Sequence, residues 1–326
     1  MLADARLCHT RAFRIGGTRM SGQAGTSRIA GGGALFALAA TLIWGVQFPV
    51  AKASFAWVDA YHGTLFRYAA PTFILLGALL WREGRGALRM DRRAARAALL
   101  GLVGMCCSPA LVLGGLTFTR PEVVAVIVAT QPATTALGGW LVYGRRPTRF
   151  TLACVSFAFV GAITVITRWN LTLAPSGMEL VGVLMIFGGS LCWVAYTLAS
   201  PTFVGWSTLR FTTVTVVSGA MGSCVLVAIL AGAGVVEPPG ARQWLAAMPH
   251  LLFLSLLGVL ASMILWNLAI ARIGALNAML FANLIPVVTF AIGFAQGYRP
   301  LPAEIVGAGM VIAALVANNL HLRRTR

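Results

Sequence analysis

Charge is scarce in this chain of 326 residues, and negative charge is scarcer still: 10% of the residues are charged and only 8 are Asp or Glu. An ordinary soluble domain carries about 25% charged residues, so a water-facing surface cannot be built from this supply. Lysine occurs once, at Lys52, against 24 arginines. Histidine is limited to His9, His62, His250 and His321, scattered near termini and helix ends. The 6 cysteines (Cys8, Cys106, Cys107, Cys154, Cys192 and Cys224) show no C-x-x-C spacing. These shortages leave no pattern for a metal site, a disulfide framework or a clustered catalytic constellation. The sequence therefore predicts no metal, no cofactor and no enzyme.

What is abundant is apolar surface, with 59% hydrophobic residues and a mean hydropathy of +0.85. Runs of about 20 apolar residues, enough to cross a hydrocarbon core, recur along the whole chain. Ten are predicted as transmembrane helices, at 32–51, 60–81, 98–118, 121–143, 150–167, 179–199, 209–232, 249–270, 275–297 and 302–321. Pro49, Pro71, Pro109, Pro132 and Pro286 fall inside them, which a membrane helix tolerates when its neighbours satisfy the freed backbone groups. The runs are continuous rather than alternating, which argues against a barrel.

The basic residues orient the helices. With both termini in the cytoplasm, 19 of the 25 fall inside and 5 outside, while Arg67 lies within a span. That asymmetry is a positive-inside signal. Asp59, Glu122, Glu179, Glu237 and Glu304 fall on the opposite face, near the starts of even-numbered helices, where the macrodipole favours carboxylates. The net charge of +17 thus reads as an orientation device with attraction for anionic lipid, not as a nucleic-acid footprint. The predicted location is the inner (cytoplasmic) membrane, multi-pass.

The chain also repeats itself. Gly144-Arg145-Arg146-Pro147 and Gly297-Tyr298-Arg299-Pro300 each end one apolar run and precede another. Leu38 to Trp44 matches Phe187 to Trp193, and Pro132 corresponds to Pro286. An odd number of spans per copy makes the second copy insert upside down, which is the plan of many secondary transporters. The predicted organisation is an arginine-rich tail at 1–31, a five-helix repeat at 32–167, an inverted five-helix repeat at 179–321 and a short tail at 322–326.

Ala40-Thr41-Leu42-Ile43-Trp44-Gly45, with Pro49 and Lys52, resembles the opening helix of EamA-type carriers of the drug/metabolite transporter superfamily. Phe66-Arg67-Tyr68 resembles their second helix. Leu116-Thr117-Phe118-Thr119, a proline-bearing helix and G-x-R-P resemble their third and fourth, with a second copy running from Leu268 to Pro300. The resemblance spans about 30–321. It implies small-molecule transport, with efflux the commoner direction. Such carriers usually place Gly-Glu where this chain has Arg145 and Tyr298, so a gate that relies on those acids is not implied here.

Candidate substrate-binding residues follow from depth and polarity. Arg67 is the one ionisable group well inside a span, and intramembrane charge marks function. Trp44, Gln47, Gln131, Trp193, Tyr196, Asn267 and Asn283 supply aromatic walls and amide groups suited to an amphipathic solute. Trp44 and Trp193 occupy matching turns of the two copies, so the pseudo-two-fold can bring them to one cavity. Pro132 and Pro286 are candidate hinges. Trp57, Trp81 and Trp140 read as interfacial residues. The favoured function is a secondary transporter of an amino acid or related amphipathic metabolite, acting by alternating access as an exporter, in contact with membrane lipid and as a monomer or homodimer. The alternative is a flippase, scramblase or channel of the same fold.

Overall fold

The computed structural model describes residues 22–144, 146–169 and 177–324. Most of the arginine-rich tail, Cys8, His9, Arg145 and Arg326 lie outside the described residues. The rest is helical: α1 (Gly22–Ser54), α2 (Ala60–Glu83), α3 (Arg92–Thr117), α4 (Pro121–Leu141), α5 (Arg149–Thr167), α6 (Gly177–Thr202), α7 (Thr208–Gly232), α8 (Ala241–Ile273), α9 (Asn277–Ala295) and α10 (Pro302–Arg324). Among the described residues nine of these are long and apolar enough to cross a membrane, and in α10 the apolar run is Pro302–Asn318.

Several helices begin earlier than their apolar runs. α3 starts at Arg92, where Asp91 caps it by accepting from the Ala94 amide at 2.7 Å. That bond holds the Asp91 carboxyl below the ordinary carboxylate range. In this first stretch Ala94, Ala97 and Gly101 are buried while Arg92, Arg93 and Arg96 face outward. The segment is amphipathic, and a purely apolar run misses it. α8 likewise begins at Ala241, eight residues before the predicted span, with Arg242 and Gln243 in its first turn. The paired G-x-R-P stretches are helix stops. Gly144 (φ 68°) donates to the Trp140 carbonyl, and at Gly297 (φ 91°) the chain turns so that the Tyr298 amide reaches the Gly293 carbonyl. Both are left-handed terminations that glycine takes without a Cβ penalty.

The five-helix halves are interleaved, not side by side. α2 packs on α7, α4 on α9 and α5 on α10, each helix on its own counterpart, while α1 on α8 and α3 on α6 exchange under the same two-fold. Small residues allow these approaches. A Cβ on Gly115 of α3 would stand 2.5 Å from the Gly182 carbonyl oxygen of α6, and one on Gly161 of α5 would stand 2.6 Å from that of Gly307 on α10. Gly101, Gly104 and Gly114 of α3 also meet neighbours closely, whereas Gly139 of α4 meets nothing within 4 Å. Phe73, Trp81 and Leu141 are 74%, 84% and 83% exposed, apolar surface of the kind a bilayer covers.

Four helices are locally irregular. α4 breaks at Thr130, directly before Gln131 and Pro132. α9 tightens to 3₁₀ geometry over Leu280–Asn283, ending three residues before Pro286. The third helix of each half carries a π-helical stretch, Leu102–Cys107 in α3 and Phe253–Ala261 in α8. In α3 the stretch precedes Pro109, whose ring would strike the carbonyl four residues back, and the wider turn relieves that clash. Nothing in the local sequence of Phe253–Ala261 explains its counterpart.

Candidate functional site

Where the two halves meet, tryptophans from both converge. The Trp44 and Trp193 rings lie 5.3 Å apart, edge to face at 87°, and Trp44 is 4.9 Å from Trp266. The T-shaped arrangement suits aromatic quadrupoles. Trp44 donates from Nε1 to the Ser262 hydroxyl at 3.0 Å, and Ser262 donates in turn to the Gly258 carbonyl at 2.6 Å. Thr289 of α9 donates to the Gly45 carbonyl at 2.8 Å. These bonds lock α1 to α8 and α9 and fix the indole. Beside the tryptophans lies a cavity of about 560 Å³, counted out to its open mouth. It takes walls from α1, α2, α3, α4, α6, α8 and α9, so both halves build it.

Arg67 lines this cavity and is only 4% exposed. Its Nη2 donates to Gln47 Oε1 at 3.0 Å, its guanidinium lies 5.4 Å from the Tyr68 ring centre, and its Nε has no partner. Among the described residues no carboxylate pairs with it. A guanidinium has five N–H donors and keeps its charge in almost any environment. The cavity therefore holds a fixed positive charge with donors to spare.

Of the predicted binding residues, Trp44, Gln47, Arg67, Gln131 and Trp193 line this cavity. Tyr196 does not. It is fully buried behind Trp193, stacked on it at 5.3 Å. Asn267 lies behind Tyr196, and Asn283 sits buried in the 3₁₀ turn of α9 with Oδ1 unpartnered, away from the cavity walls. Tyr68, Gly104, Ser108 and Met263 line the cavity and were not singled out as site residues in the sequence. Tyr68 adjoins Arg67, and Ser108 is a hydroxyl in mid-helix; both are signals that depth and polarity could have caught. Gly104 and Met263 carry none.

One end of the bundle is clamped by polar side chains. Lys52 Nζ donates to the carbonyls of Leu116 (2.7 Å) and Thr119 (2.9 Å), capping α3 with a charge its dipole favours. Glu304 is wholly buried at the start of α10. It accepts from Arg120, from Arg168 at 3.0 Å, from the Tyr298 hydroxyl at 2.5 Å and from the Leu301 amide at 2.9 Å. Arg120 and Arg168 belong to the first half, Tyr298 and Glu304 to the second. Burial and the neighbouring Glu304 carboxylate push the Tyr298 phenol up, so it stays a donor. Of the five acids read as helix-start residues, Asp59 caps α2 through the amides of Tyr61 and His62, and Glu122, Glu179 and Glu304 lie in first turns.

Relatives agree with this architecture. The pattern of the EamA-like transporter family matches residues 31–167 and again 180–320. The uncharacterized transporter YrdR of Bacillus subtilis is 31% identical over 296 residues, covering 90% of this chain and 92% of that protein. The uncharacterized transporter YyaM of the same organism is 31% identical over 284 residues, 85% of this chain and 90% of that one. A transporter of Archaeoglobus fulgidus is 24% identical over 277 residues, covering 84% and 92%. A solved crystal structure shares the fold, with a TM-score of 0.65 at 19% identity over 89% of this chain and 98% of that one. Two matched copies, a multi-pass helical bundle and a cavity between interleaved halves make one conclusion: this chain is a membrane transporter of the EamA-like transporter family.

Proposed function

We propose that the protein is a secondary carrier that exports a small amphipathic solute bearing a carboxylate, an amino acid or close relative, by alternating access. The observation that supports this most is Arg67, a buried guanidinium with unused donors at the wall of a tryptophan-lined cavity. A buried charge without a partner is costly, and a solute carboxylate relieves that cost while the indoles cover its apolar body. Gln47 holds the guanidinium in place, and Gln131 offers an amide to the remaining polar groups. The repeats 32–167 and 179–321 are the moving units, with Pro132 and Pro286 as hinges. A helix break and a 3₁₀ turn stand two and three residues before these two prolines. The arginine asymmetry supports cytoplasmic termini in the inner membrane. Efflux is the direction that the family resemblance implies.

Metabolite profiling of cells and medium tests this reading. Overproduction should raise one or more carboxylate-bearing amphipathic solutes in the medium and lower them inside, and deletion should do the reverse. Unchanged pools of all such solutes in both strains would overturn it.

A further inference from the structure

A second cavity, of about 720 Å³ counted to its mouth, lies at the α6–α7 turn. Phe203, Trp206, Phe211, Asn267 and Ile270 are among its walls. No wall residue is shared with the tryptophan cavity, yet one side chain packs against a wall residue of each. That side chain is Tyr196. On one side its ring stacks on Trp193, which lines the first cavity, at 5.3 Å and 29°. On the other it stacks on Phe211, which lines the second, at 5.7 Å and 27°. Its hydroxyl is 3.3 Å from the Asn267 amide, and Asn267 Nδ2 donates to Thr212 at 2.8 Å. Gly104, in the π-helical stretch of α3, makes room for the ring, because a Cβ there would stand 2.6 Å from its carbons.

We propose that Tyr196 is the partition in a single solute path, and that the second cavity is the vestibule at the α6–α7 end. The inference rests on the carrier reading of the central cavity. Swinging one ring away from Trp193 and Phe211 joins the two spaces, and the Asn267 amide holds that ring shut. The vestibule suits the same solute class. The Arg210 guanidinium lies 4.0 Å from the Trp206 ring centre and that of Arg93 lies 6.0 Å from it, which places positive charge beside aromatic walls. Arg93 is on α3 and Arg210 on α7, so both halves border the entrance. Moving Tyr196 therefore requires α3, α6 and α8 to shift together, as rocking of the repeats would do.

The test is cysteine labelling in a chain whose native cysteines are replaced by alanine. A membrane-impermeant maleimide is added only on the face that bears the α6–α7 turn. Phe203→Cys in the vestibule should label readily whether residue 196 is Tyr or Ala. Val128→Cys in the central cavity should label slowly with Tyr196 and about tenfold faster with Tyr196→Ala, the scale of two lost ring contacts. Asn267→Ala, which keeps the ring and removes one partner of its hydroxyl while Thr215 remains, should also raise the rate and serves if the first variant does not fold. Equal labelling of Val128→Cys with and without these changes, or protection of Phe203→Cys from that face, overturns the proposal. Labelling needs no transported solute, so its outcome is independent of whether the carrier reading survives.

Discussion

Glu304 and Arg67 are both buried, and their surroundings treat them differently. Glu304 is fully enclosed and fully engaged: two guanidiniums, a phenol and a backbone amide converge on it. Arg67 has one hydrogen bond, to Gln47, and a face of Tyr68. The first pattern is what holds a structure together, and the second is what leaves a charge available for a ligand. Removing the carboxylate strands two arginines, so Glu304→Ala should lower stability by about 3 kcal/mol, the low end for a broken buried pair because both arginines retain partial access to solvent. Unfolding in detergent reads this directly, and a variant as stable as the parent would contradict the clamp. Arg67 was legible from sequence because a charge inside an apolar run stands out. The role of Tyr298 was not, because its partners Arg120 and Glu304 come together only in three dimensions. Its position, where the family resemblance implies an acid, becomes intelligible once the hydroxyl is seen bridging them.

At the scale of helices, the breaks are the informative features. Thr130 interrupts α4 and the turn Leu280–Asn283 tightens α9, each just before its proline. If these are hinges, Pro132→Ala and Pro286→Ala should reduce turnover severalfold while changing stability little, since a regular helix with full hydrogen bonding resists bending. Flux measured at equal protein density checks this; undiminished turnover in both variants would contradict a hinge role. The prolines themselves were visible in sequence, and so was their correspondence. The π-helical stretches were not: a run such as Phe253–Ala261 is as apolar as any spanning helix, and hydropathy carries no information on hydrogen-bond register. The early starts of α3 and α8 escaped for a related reason, since amphipathic turns at an interface dilute the apolar signal that marks a span.

For the whole molecule, the pairing of helices carries the account. The major contacts obey one two-fold exchange: α2 with α7, α4 with α9 and α5 with α10, then α1–α8 with α3–α6, α1–α9 with α4–α6 and α2–α8 with α3–α7. The duplication was readable from two glycine-terminated turns and an odd number of spans, because those are local signals. Which helices interleave was not, and with it went the distinction between Trp193, which faces the central cavity, and Tyr196, which stands behind it. The central claim is that this duplicated bundle carries a carboxylate-bearing solute held by Arg67. Counterflow into vesicles reconstituted with the purified protein tests it most directly, with unlabelled amino acids inside and labelled ones outside, each compared with its methyl ester. The account predicts saturable exchange of at least one apolar amino acid, none of its ester, and half-saturation raised at least about tenfold in Arg67→Gln, the scale of one lost charge-assisted hydrogen bond. Flux that never saturates, treats acid and ester alike or ignores the loss of Arg67 would contradict it.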